Sequence, residues 1–192
     1  MIHSKQDLKE YIAQDALACG RDSLRARLVG DETWQYQLTL RKCEYYHNLQ
    51  GLKRKISTPA RIFHKFLYYR RSARLGISLP LNVFDKGLSV PHFGTIIVNQ
   101  GASIGKNCRI HSGVNIGATG GSDHAARIGN NVYIGPGVKI VGDITIADDV
   151  CLGAGAVVVK SITEPGTTWA GVPARKISDH DSHGNLNPAL FL

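Results

Sequence analysis

The chain has 192 residues, enough for one or two domains. Its hydrophobic content of 43% and its 21 glycines describe a globular protein rich in turns, and no apolar run is long enough to form a membrane-spanning helix. All of the net charge of +8 lies early: residues 1–76 hold 15 Lys and Arg against 7 Asp and Glu, while residues 77–192 hold 8 of each.

The opening residues, Met1-Ile-His-Ser-Lys-Gln-Asp, lack the apolar core of a signal peptide, so a cytoplasmic location is expected. Cys19, Cys43, Cys108 and Cys151 show no C-x-x-C spacing, which reads as reduced structural thiols rather than a metal knot or redox pair.

Three helices are expected in residues 1–76. The first runs from about Lys5 to Cys19, with Leu8, Ile12 and Ala16 on one face and Gly20 as its stop. The second follows Asp31, a good N-cap, and carries Trp34, Leu38, Tyr45 and Leu49 up to Gly51. The third has Thr58 as cap, Pro59 in its first turn and Gly76 past its end, with an apolar stripe of Ile62, Phe63, Phe66, Leu67 and Ala73. This third helix and its lead-in hold Lys53, Arg54, Lys55, Arg61, Lys65, Arg70, Arg71 and Arg74 without one acidic residue. Such a face can be simply solvated, or it can attract a phosphate-bearing substrate or make peripheral contact with an anionic membrane. No helix-turn-helix, zinc or RNP pattern is present, so no nucleic-acid partner is expected.

From Val98 the chain repeats every six residues. Val98, Ile104, Ile110, Ile116, Ile128, Ile134, Ile140, Ile146, Leu152 and Val158 form one ladder. The position four after most of them is small or branched: Ala102, Cys108, Val114, Val132, Val138, Ile144, Val150 and Ala156. A sandwich would alternate with period 2 and cannot hold this phase, whereas a parallel β-helix with three short faces per turn does. The ladder misses a step at Ser122, inside Gly117-Ala-Thr-Gly-Gly-Ser-Asp-His-Ala-Ala-Arg127, and resumes at Ile128; this polar, Gly-rich stretch reads as a loop leaving the coil. After Val158 the coil ends, and the tail from Ser178 is expected to fray unless its apolar end, Ala189-Leu-Phe-Leu192, docks on a neighbour. The expected divisions are a helical part at 1–76, a β-helix at 77–177 and a tail at 178–192.

Gly87-Leu-Ser-Val-Pro-His-Phe-Gly-Thr-Ile-Ile-Val, the hexads ending in Gly153-Ala-Gly-Ala-Val-Val-Val, the looped coil with its His, and the closing Ala170-Gly-Val-Pro-Ala-Arg resemble the left-handed β-helix acyltransferases, and within them the serine acetyltransferase branch. The resemblance covers about residues 77–177. It implies a mainly β fold, a left-handed parallel β-helix with a small N-terminal helical domain. It also implies a homotrimer with acetyl-CoA in the groove between subunits, and direct transfer of acetyl to a hydroxyl, as in making O-acetylserine from L-serine.

On this resemblance His92 falls where the family keeps its catalytic histidine, and His124 falls near a second active-site histidine. An imidazole is the natural base for a hydroxyl attacking a thioester. His111, 19 residues after His92, lies about one coil turn from it and is a further candidate. Small residues that let a cofactor arm approach are Gly135, Pro136, Gly137, Gly153, Ala154, Gly155, Ala170, Gly171, Pro173 and Ala174, and Lys160, Arg175 and Lys176 are candidates for its phosphates. Zinc-binding relatives with this coil carry a close His-x-x-x-x-His pair that is absent here, so no metal is expected.

Two departures bear on the acceptor. Serine acetyltransferases have a carboxylate just before the catalytic histidine and another 15 residues earlier; this chain has Pro91 and Ile77 there. Asp85 and Asp123 are candidates to orient His92 instead. Similar chains with a short helical part modify sugars of surface polysaccharides, so a sugar hydroxyl stands beside serine as the acceptor.

Overall fold

A computed structural model describes all 192 residues. Helices α1 (Lys5–Ala18), α2 (Glu32–Asn48), α3 (Gly51–Ile56) and α4 (Thr58–Leu75) precede the coil. The three expected helices are thus four, because the basic lead-in is itself helical and Ser57 separates it from α4. Asp31 stands at the N-cap of α2 but does not cap it. Its carboxylate is taken by a two-pronged ion pair with Arg21 (3.1 and 2.7 Å) and by the Arg27 amide. α4 ends as expected on Gly76, whose φ of 70° suits a residue without a Cβ.

The apolar stripe expected on α4 does not pack. Ile62, Phe63 and Phe66 are more than half exposed, and the helix sits on α2 and the coil through Tyr68, Leu75 and Arg71 instead. Arg71 donates to the Gln35 carbonyl of α2 at 2.9 Å, and the Tyr68 hydroxyl donates to the Leu79 carbonyl at the start of the coil at 2.5 Å.

One buried ionic group joins the helices to the coil. The Arg41 guanidinium, fully buried, bonds Asp15 of α1 at 2.7 and 3.1 Å and Glu44 at 3.0 Å, and donates to the Phe84 and Asp85 carbonyls at 2.9 and 2.7 Å. Asp15 in turn accepts from the Gly87 and Leu88 amides. Every charge is thus paired and hydrogen-bonded, the condition under which burial is tolerated.

The coil is a left-handed parallel β-helix with three faces. The first face stacks Ile77–Ser78, Ile96–Val98, Asn115–Gly117, Lys139–Val141 and Val157–Val158. The second stacks Ser103–Ile104, Arg127–Ile128 and Thr145–Ile146, extended by bridges from Phe84 and Ile162. The third stacks Arg109–Ile110, Tyr133–Ile134, Cys151–Leu152 and Thr168–Ala170, with Ser89 bridging below and Arg175–Ser178 pairing antiparallel above. Both sets of ladder residues point inward and are buried, so the hexad reading holds throughout. The partner of Asn115 is Lys139, 24 residues on, whereas that of Lys139 is Val157, 18 residues on. The extra six residues are the loop after Gly117.

The tail does not fray, nor does it need a neighbour. Ser182 donates its amide to Asp149, His183 meets Asp149 at 2.8 Å, and Asn187 bonds the Leu17 carbonyl of α1. Side chains aligned along the edge between the second and third faces carry this fastening: Gln14 donates to Asn107, Asn107 to Asn131, and Asn131 to Asp149, at 2.8–2.9 Å.

Candidate active site

His92 lies at the edge where the third face turns into the first. The same edge carries, turn above turn, His111 and Ser112, then Pro136 and Gly137, then Ala154 and Gly155, and finally Gly171. The Gly137 amide donates to Ser112, the Gly155 amide to Pro136, and the Val157 amide to Gly171. A candidate base and most of the small residues expected to line a cofactor groove therefore form one column.

The rings of His92 and His111 are 5.9 Å apart, and that of Tyr133 follows at 5.2 Å. Arg109 Nε donates to His111 Nε2 at 3.3 Å, which requires that nitrogen to be the unprotonated acceptor. Burial, and then the charges of Arg109 and His92, hold the His111 imidazole below the ordinary histidine range. His92 is exposed at the foot of the column, free to meet an incoming group. Arg109 and Tyr133 were not singled out in the sequence. The signal that could have found them is register, since Arg109 pairs with Tyr133 across a 24-residue step.

The carboxylates behave differently. Asp85 lies at the edge between the second and third faces, where it accepts from the Tyr11 hydroxyl at 2.7 Å and the Lys86 amide at 2.8 Å. Burial raises its carboxyl, but these bonds and nearby positive charge outweigh it and leave its pKa below the usual value. Asp85 does not orient His92: it sits on another edge, where its Oδ1 takes both of these bonds. Asp123 and His124 sit in the loop, at the edge between the first and second faces. A Cβ on Gly101 would lie 1.8 Å from the Asp123 carbonyl oxygen, so the loop is seated on the turn below. Under it, on the first face, is a crevice of about 420 Å³ lined by Ile97, Asn99, Asn115 and Ser122.

His92 and His124 thus occupy opposite edges of the first face and cannot meet within one copy. The outward residues of that face include exposed Ile97 and Val159 and half-buried Val141 and Val157, an apolar strip between the two edges.

The cofactor candidates divide by chemistry. Gly135 is required by stacking, since a Cβ there would come within 2.7 Å of the Leu152 carbonyl, and Gly153 sits in a tight spot, where a Cβ would come within 3.1 Å of the Ala170 Cβ. Their amides are spent in the coil, as are those of Gly137 and Gly155, so they have no donors left for a ligand. The exposed Ala154 amide has no partner in the chain, and the Cβ direction of Gly155 is open. Lys160, Pro173, Ala174, Arg175 and Lys176 line one cavity of about 600 Å³ at the end of the coil, with Trp169. Lys176 is already paired with Glu164 and Asp179, leaving Lys160 and Arg175 as its unpaired cations. No group of three His, Cys, Asp or Glu side chains is placed to hold a metal, and no helix is long and apolar enough to cross a membrane. Burial pushes the thiol of Cys108 up to about 12 and that of Cys43 to about 11, which keeps both protonated and inert.

Three stacked faces, hexad glycines and a column of small residues define a class, the hexapeptide-repeat transferase fold. Residues 125–160 match the family model described as bacterial transferase hexapeptide (six repeats). Within that class the chain is similar to serine acetyltransferases. It is 37% identical over 105 residues to the serine acetyltransferase of Escherichia coli strain K12, an alignment covering 54% of this chain and 38% of that protein. The chain therefore spans well under half the length of that relative. Soybean serine acetyltransferase complexed with serine superposes with a TM-score of 0.69 at 27% identity, covering 90% of this chain and 70% of that one. The serine acetyltransferase of Brucella abortus strain S19 in complex with coenzyme A gives a TM-score of 0.66 at 26% identity, covering 91% and 68%.

Proposed function

We propose that this protein transfers acetyl from acetyl-CoA to a hydroxyl, with L-serine as acceptor. The observation that carries the reading is the single edge on which His92 stands below the open, small-residue turns ending at Gly155 and Gly171. The likeness to serine acetyltransferases, one seen with serine and one with coenzyme A, supports it.

In this reading His92 takes the proton of the acceptor hydroxyl as the oxygen attacks the thioester carbonyl. The carbon–sulfur bond then breaks, and the protonated ring returns the proton to the departing thiolate. His111, kept neutral, leaves the neighbouring ring free to take that charge. The Ala154 amide and the open backbone at Gly155 receive the pantetheine arm, and Lys160 and Arg175 face the phosphates. The site is shared between copies, three about an axis along the first faces, so that the loop of one copy brings Asp123 and His124 to His92 of the next.

A second acceptor is favoured by one observation. Pro91 precedes His92, so the position that would hold the serine ammonium offers no carboxylate. A sugar hydroxyl needs none. Thiol release from acetyl-CoA, measured with L-serine and in parallel with simple sugars and nucleotide sugars, tests both. Serine-dependent release supports the first reading, sugar-dependent release the second, and absence of release with every acceptor counts against both.

A further inference from the structure

A cavity of about 660 Å³ lies between the helices and the first coil turn, away from the His92 edge. Arg54 of α3, Arg61 and Lys65 of α4 and His47 of α2 line it, and its wall contains no Asp or Glu. Arg61 and Lys65 are four residues apart, so they share one helix face and repel each other. Neither they nor Arg54 has a carboxylate partner, although Arg21, Arg41, Arg127 and Lys176 all do. Bare cations converging on a concave wall focus a positive potential that an anion relieves.

The cavity is far larger than one phosphate needs and falls in the range of small-molecule sites. Its remaining wall suits a sugar. The Ser78 hydroxyl and the Gln100 amide are unpaired there, beside the exposed ring of Tyr69, over which Lys65 Nζ sits at 5.8 Å. Gln100 precedes Gly101, the residue on which the loop bearing Asp123 and His124 is seated. A ligand reaching past Gln100 therefore heads for the loop edge.

We propose that this cavity binds a glycosyl phosphate or diphosphate, with Arg54, Arg61 and Lys65 on the phosphate oxygens and the sugar toward Gln100. The arginine forks can each hold two phosphate oxygens in one plane, whereas the lysine acts as a point charge. As a route to acetylation this rests on the second acceptor reading; as a binding site it does not. The ligand can be free in solution or carried at a membrane, beside which Ile62, Phe63 and Phe66 would lie.

The test is calorimetric titration of the full chain, saturated with coenzyme A, with inorganic pyrophosphate, glucose 1-phosphate and glucose. Both phosphates should bind and glucose should not, with affinity falling as salt rises. The Arg61→Gln/Lys65→Gln variant should lose about tenfold or more, and Arg54→Gln, at an exposed site that leaves folding untouched, should lose less. No heat with either phosphate, or equal binding by the variants, overturns the proposal. Flotation with phosphatidylcholine vesicles, with and without phosphatidylglycerol, separates the sources. Lipid binding that pyrophosphate displaces supports a membrane-borne ligand, and lipid binding that it leaves unchanged overturns the pocket in favour of a lipid-facing surface. Failure of acetyl transfer leaves this titration readable, and failure of the titration leaves transfer to serine untouched.

Discussion

His92 and His111 stand on successive turns of one edge with their rings 5.9 Å apart and tilted by 49°. Burial, and then the charges of Arg109 and His92, lower the pKa of His111 and disfavour its protonated form. His92→Ala should lower kcat by about two or more decades while leaving acetyl-CoA affinity nearly intact. His111→Gln should act mainly on the pH dependence of kcat. Steady-state rates across pH for both variants check this, and full activity in the His92 variant would remove it from the mechanism.

Because His92 and His124 lie on opposite edges of the first face, a shared site needs two copies. Chains carrying His92→Ala and chains carrying His124→Ala should each be impaired alone, yet regain activity when co-expressed, since a mixed assembly holds some junctions with both residues intact. Mixed assemblies no more active than either parent would overturn the shared site.

Gly155 has a φ of 69° and open space beyond its Cβ direction. Asn tolerates that backbone, and this chain already uses it at Asn107 and Asn131 with φ of 58° and 55°. Gly155→Asn should therefore raise the KM for acetyl-CoA several-fold with little change in Tm. An unchanged KM would show that the cofactor arm passes elsewhere.

Arg41→Leu removes the one cation between Asp15 and Glu44, both buried. Leaving two carboxylates uncompensated should cost about 3–5 kcal/mol of stability. Urea unfolding measures it, and a loss below about 1 kcal/mol, the range of exposed ion pairs, would show that water reaches the group.

The pH dependence of stability has a definite sign. Burial, ahead of nearby positive charge, lowers the pKa of His111 and of His64 below the free value of 6.5. The unfolded chain thus takes up protons first as pH falls. Stability should be full above about pH 6.5 and decline below it, with a further loss at lower pH as Asp85, whose pKa is also depressed, is protonated. Thermal midpoints across this range should show a shallower fall in His111→Gln.

How much of this was legible in the sequence follows from how far apart the interacting residues are. The hexad ladder is a repeating local instruction, so Ile104, Ile128 and Ile146 could be placed inward, and the loop at Ser122 found, without knowing any contact. The pairing of His92 with His111 was also within reach, because one coil turn is a nearly constant number of residues. By itself, then, the chain determined a β-helix, its phase and the column of small residues along which a cofactor can lie.

The tertiary structure decided which edge each side chain occupies and what it spends its bonds on. Asp85 is seven residues from His92 in sequence but on a different edge, because the chain turns a corner between them and Tyr11 of α1 takes its carboxylate. The spacing of apolar residues draws a stripe along α4, yet Arg71 and Tyr68 make the contacts and Phe63 and Phe66 face out. The physical reason is the same in both cases. Periodicity encodes which side of an element is apolar, whereas partner choice depends on which elements the fold brings together, as it brings Arg71 to Gln35 and Arg41 to Phe84 and Asp85.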